Sequence, residues 1–240
     1  MQHERPPARV AVLLPGATMA RVPLPLFVLP GIGADDRLFD AQRTIRDIRP
    51  ITWIAPAHPR ETLREYAQRL ASELRFPEPF DLGGSSFGGM VALELARYLS
   101  PQRVFLFGSC RSPRSISPLL RMLRFFAPVL PDRLLHPPRI LQSYVAWWFG
   151  ARSHAHIQLF ADMLAVTPVP FIRWASIAIF SWEGVEELPM PIHHVHGDRD
   201  RLIPIRRVHP DHVITGAGHL LNLTHGDAVN DFIADADRDS

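Results

Sequence analysis

The chain has 240 residues, 47% of them hydrophobic, and a formal net charge of +2. Those values suit one α/β domain with a large buried core and room for an inserted subdomain. Every cationic side chain is arginine, and acids are scattered among the arginines, so no basic stripe with interleaved aromatics points to nucleic acid.

Residues 1–22 read as an N-terminal extension. Arg5 and Arg9 precede an apolar run over 10–14, and 17–20 loosely matches a signal cleavage region. Pro15 and Gly16 interrupt that run, which is short for a signal peptide, so a cytoplasmic chain is expected. No apolar run in the sequence reaches transmembrane length. The lone cysteine, Cys110, allows no intrachain disulfide and reads as a small buried residue.

Short apolar, β-branched runs predict strands over 26–29, 51–54, 80–82, 104–107, 192–196 and 212–214. Helices are expected between them. Thr62 can cap a helix over 63–74, with Leu63, Tyr66, Ala67, Leu70 and Leu74 as its apolar stripe. Further helices are expected over 90–99 and 228–236. The alternation implies an α/β fold with a mostly parallel sheet.

Alternation fails over 111–187, which is rich in proline, arginine and aromatics, including Phe125, Phe126, Trp147, Phe160, Phe171 and Trp182. Amphipathic helices fit this stretch best. It reads as a helical cap inserted into a core of residues 23–110 and 188–240. Most of its aromatics are expected to be packing, with a few left to line an apolar pocket.

The chemistry starts at Gly84-Ser85-Ser86-Phe87-Gly88, a G-x-S-x-G between an apolar strand and a helical run. A serine on a sharp strand-to-helix turn exposes its hydroxyl, and the flanking glycines leave room for that turn. Ser85 is the rival nucleophile, but it would put Phe87 where a small residue is needed. A serine needs a base, the base an orienting carboxylate, and the oxyanion needs N–H donors. The base is His219, on a Gly-x-Gly loop after the last strand. His225 falls beyond that loop. The acid lies in His196-Gly197-Asp198-Arg199-Asp200, where Asp198 and Asp200 compete. Phe87 and Ile32 are the expected oxyanion donors through their backbone N–H groups. Pro30-Gly31-Ile32-Gly33 completes neither a P-loop nor a dinucleotide fingerprint. His194 and His196 share a strand face, but no third ligand is spaced to make a metal site with them.

These motifs, together with Phe27-Val28-Leu29-Pro30-Gly31 and Pro204, resemble those of the α/β-hydrolase superfamily over nearly the whole chain. The resemblance implies the α/β-hydrolase fold, a Ser86–Asp200–His219 triad with Asp200 rather than Asp198 as acid, a cap over the site and no cofactor. Ester hydrolysis of a small, hydrophobic substrate is the expected activity. Thioester, acyl-transfer, aminopeptidase or lyase chemistry on the same triad, or a non-catalytic ligand-binding role, are the rival readings.

Overall fold

The computed structural model describes residues 23–77, 79–123, 131–135 and 137–238. The extension expected over 1–22, and the aromatics Phe125 and Phe126, lie outside the described residues.

Six strands form one sheet: β1 (Leu26–Leu29), β2 (Ile48–Pro50), β3 (Asp81–Ser85), β4 (Val104–Phe107), β5 (Ile192–Gly197) and β6 (His212–Ile214), in the order β2-β1-β3-β4-β5-β6. Every pairing is parallel. β3 and β4 are buried throughout, as apolar strands covered on both faces should be. Order reverses beside β1, with β3 on one side and β2 on the other, and such a switch point opens a crevice at the carboxyl ends of the strands.

The expected strand over 51–54 is not there. β1 pairs instead with Ile48–Pro50, and the chain leaves the sheet at Ile51. β2 is an edge strand, where Pro50 is tolerated, and two of its three residues are exposed, so it lacks the apolar run of a buried strand. The freed Trp53 packs against Tyr66, Phe87 and Phe171.

Helix α1 (Leu63–Glu73) starts with a reciprocal capping box between Thr62 and Glu65 and buries Leu63, Tyr66, Ala67 and Leu70. Helix α2 (Phe87–Leu95) begins earlier than the apolar spacing suggests, directly after Ser86, and is buried along its whole length. Between β4 and β5 the described residues form only helices: α3 (Pro118–Leu123), α4 (Asp132–Leu135), α5 (Arg139–Trp148), α6 (His154–Val166) and α7 (Val169–Ser181), after a 3₁₀ turn at Pro113–Ser115. Two indoles fasten α7 to the layer of α1 and α2. Trp174 Nε1 donates to the Glu61 carbonyl (2.8 Å), and Trp182 Nε1, just past the helix, donates to Glu94 Oε1 (2.7 Å). Helices α8 (Leu221–Thr224) and α9 (Gly226–Arg238) close the chain. Among the described residues no single helix is long and apolar enough to cross a membrane.

The amino end of the sheet is pinned by buried charges. Asp81, the first residue of β3, accepts from Arg46 and from Arg103 (2.6 Å). Both guanidiniums also reach Asp237 of α9, at 3.0 and 2.7 Å. Each lies 5.3 Å from the centre of the Phe105 ring.

Candidate active site

The opposite end of β3 is strained. Ser86 has φ 52° and ψ −118°, and among the described residues it is alone outside glycine in having positive φ. An L-residue in this region costs about 1–3 kcal/mol, sustained only where surrounding bonds dictate it. Those bonds are visible. Ser86 N–H donates to the Phe107 carbonyl of β4 (3.0 Å), and the Ser86 carbonyl accepts from Ser109 Oγ (2.6 Å). The turn closes only on glycine: a Cβ at Gly84 would collide with the Gly88 carbonyl, and one at Gly88 with the Leu29 carbonyl.

That turn aims the Ser86 hydroxyl at His219, whose Nε2 lies 2.7 Å from Oγ. His219 Nδ1 lies 2.6 Å from Asp200 Oδ2. A carboxylate can only accept there, so the proton sits on Nδ1 and the Nε2 lone pair faces the serine O–H. Asp200 Oδ1 in turn accepts the backbone N–H groups of Leu202 (2.8 Å) and Ile203 (2.9 Å), which fixes the carboxylate plane. Burial pushes the Asp200 carboxyl up, but the charge of His219 and its hydrogen bond, with help from His196 and Ile203, hold it below the usual carboxylate range. The loop carrying His219 is held at Leu220, whose N–H donates to the Phe149 carbonyl (3.1 Å), and the Phe149 ring meets the imidazole edge-on at 5.7 Å.

The neighbouring candidates are elsewhere. Asp198 is exposed and accepts the Gly216 N–H (2.7 Å), bracing the loop before His219. Ser85 ends β3, buried, and makes no bond to His219. His225 bonds Thr224. Cys110 is fully buried, and that burial pushes its thiol up to about 12. Ile32 and Phe87 flank the serine, and neither backbone N–H donates to a protein acceptor among the described residues.

One contact was missed by sequence reasoning. His196 Nε2 lies 2.8 Å from the Ile203 carbonyl and 3.4 Å from Asp200 Oδ2, so two imidazoles face one carboxylate oxygen. A histidine four residues before the acid, across a glycine turn, was the available signal. His196 Nδ1 then meets His194 Nε2 at 3.2 Å.

A pocket of about 350 Å³ opens over Ser86. Its walls include Val145, Phe149, Phe160, Leu164, Ile179 and Phe180, from α5 to α7 and the turn after α5. Among the described residues, no Asp, Glu or Arg side chain lines it. The aromatics of the 111–187 stretch therefore divide: Phe149, Phe160 and Phe180 face the pocket, Trp174 and Trp182 are packing, and Tyr144 and Trp147 are exposed.

A family model described as the alpha/beta hydrolase family matches residues 7–232. The chain belongs to the alpha/beta hydrolase family. Similar solved structures include an esterase from Thermogutta terrifontis (22% identity, 90% of each chain covered, TM-score 0.69). An enol-lactonase from Burkholderia xenovorans LB400 is similar at 18% identity, covering 88% of this chain and 90% of its own, with a TM-score of 0.68. An esterase from Exiguobacterium antarcticum shares 14% identity over 90% of this chain and 92% of its own, with a TM-score of 0.68. No curated protein matches the chain in sequence. At these identities the structural likeness speaks for the shared hydrolase fold.

Proposed function

We propose that this alpha/beta hydrolase cleaves uncharged carboxylic esters through an acyl-enzyme on Ser86. The observation that carries this reading is the unbroken chain Ser86 Oγ–His219–Asp200 Oδ2, with links of 2.7 and 2.6 Å, on the floor of an apolar pocket. His219 takes the serine proton as Oγ attacks the ester carbonyl. Asp200 keeps the imidazole in the Nδ1–H tautomer and stabilises the cation that forms. The unbonded Ile32 and Phe87 N–H groups receive the oxyanion, already stripped of protein partners. His219 returns its proton to the leaving alcohol. Water then attacks the acyl-enzyme by the same route.

On this reading residues 111–187 are a cap on a core of 23–110 and 188–240, and the substrate is a small molecule with an apolar acyl group. Lactones are internal esters and meet the same machinery; two N-acyl homoserine lactonase structures, at 18% and 17% identity, are among the similar folds. A fluorophosphonate probe with a p-nitrophenyl ester series of rising chain length tests this. Labelling at Ser86, hydrolysis of the esters, and loss of at least ~10⁴-fold in Ser86→Ala are expected. Full esterase activity in Ser86→Ala, or folded protein that never labels, sinks the reading.

A further inference from the structure

The imidazole chain that starts at Asp200 leads to a second cavity. It has a volume of about 330 Å³, and His194 is part of its wall. Arg111 and Arg114, from the segment after β4, and Arg207, from the segment before β6, line it with the hydroxyl-bearing Ser112 and Ser115. None of these three arginines forms an ion pair among the described residues. Arg46 and Arg103, at the far end of the sheet, each meet two carboxylates. Two of the three cavity arginines are nevertheless bonded. Arg111 donates to the Glu186 carbonyl and Arg207 to the Arg114 carbonyl, both at 3.2 Å.

The charge identifies the class of anion. Among the described residues, three guanidiniums and the Glu186 carboxylate line the cavity with His194 and His209, which leaves two formal positive charges with both histidines neutral. A phosphate monoester carries roughly −1.5 to −2 at neutral pH, and guanidinium forks match its oxygens in pairs. The volume exceeds that of the ion and falls in the range of small-molecule pockets, about 300–1,000 Å³, so an organic group fits beside the phosphate.

The cavity is also wired to the acid. The cavity wall stands two imidazoles from Asp200: His194 Nε2 meets His196 Nδ1 at 3.2 Å, and His196 Nε2 lies 3.4 Å from Asp200 Oδ2. The charge of Arg111 already acts against a proton on His194. Asp200, at the other end of this chain, is the carboxylate bonded to His219 Nδ1. A dianion against Arg111 cancels its charge.

We propose that this cavity binds a small phosphate monoester and that its occupancy speeds acylation of Ser86; the second clause rests on the ester-hydrolase reading, the first does not. Titration calorimetry with phenyl phosphate, inorganic phosphate and benzoate, at matched chloride ionic strength, tests the site. Phenyl phosphate should bind once per chain and more tightly than inorganic phosphate, and Arg207→Gln should weaken it at least ~10-fold. Arg114→Gln, at an exposed position, should weaken it too and serves if Arg207→Gln fails to fold. Benzoate binding as tightly as phenyl phosphate, inorganic phosphate matching it, binding that survives both substitutions, or no heat beyond chloride overturns the site. Saturating phenyl phosphate should raise the fluorophosphonate labelling rate at Ser86 by ~3-fold, and not in Arg207→Gln. An unchanged rate with binding intact overturns the coupling. No labelling under either condition counts against the hydrolase reading, and calorimetry still decides the site.

Discussion

Asp81 opens β3 and Ser86 follows its last residue, so two ends of one strand can be compared. At the amino end, Asp81 and Asp237 share Arg46 and Arg103, and the charges are matched inside the protein. At the carboxyl end the backbone is strained at Ser86, two N–H groups lack protein acceptors, and a hydroxyl faces an apolar pocket. The first end is complete without a ligand. The second leaves its donors and its strain for something that binds. A parallel sheet allows this division, because all its strands end on the same side and one rim can stay unsatisfied while the other is tied down.

The comparison predicts that substitutions at the two ends separate activity from stability. The largest effect belongs to Asp200→Asn. Its kcat for p-nitrophenyl esters should fall by ~10⁴-fold, while the unfolding midpoint moves less than in Asp81→Ala, since asparagine can still accept the Leu202 and Ile203 N–H groups. Asp81→Ala should do the opposite. It leaves two guanidiniums sharing Asp237 alone and should cost about 3 kcal/mol in denaturant unfolding. The molecules that remain folded should label with fluorophosphonate at the wild-type rate. Equal damage to labelling and folding in either variant would break the comparison.

Acid should act on the carboxyl end first. His194 is held neutral, its pKa pushed down to about 3 by burial and then by His196 and Arg111; burial also lowers that of His196. The unfolded chain takes up these protons near 6.5, so it binds more protons than the native state below that pH. Stability should therefore fall as pH drops from about 6.5 toward 3 in urea titrations. Asp200 adds a second limb: its folded pKa is lowered, so its contribution is present above the unfolded value and lost as pH falls through the folded one. His194→Gln, whose amide can still donate to His196, should flatten the upper limb and leave the lower one. The smallest effect is a gain. Ser86→Gly relieves the positive φ and should raise stability by ~1 kcal/mol in an inactive protein.

Much of the sheet could be read from the chain. β1, β4 and β6 coincide with their short apolar runs, and Thr62 caps α1 as its side chain suggests. β2 could not, because an edge strand with exposed Arg49 and Pro50 lacks the continuous apolar run that marks buried strands. Ser86 and His219 were legible because each stands on a glycine-bearing turn whose signature is local. The candidate acid was narrowed to two residues by position and to one by resemblance. Arg46, Asp81, Arg103 and Asp237 were not legible, as they meet across up to 191 residues. The His196–Asp200 contact and the split of aromatics between wall and packing depend on how the helices settle, which no local pattern encodes.

Trp174 and Trp182 each hand an indole N–H to the layer of α1 and α2, while Trp147 stays at the surface. The fastening of the helices above Ser86 thus comes with its own dye. Buried, hydrogen-bonded indoles should emit at shorter wavelength than exposed ones, so lifting α7 away from Glu61 and Glu94 would redden the emission. Mixing the protein rapidly with an ester and following its colour would show whether α7 moves when the ester binds, with no label attached.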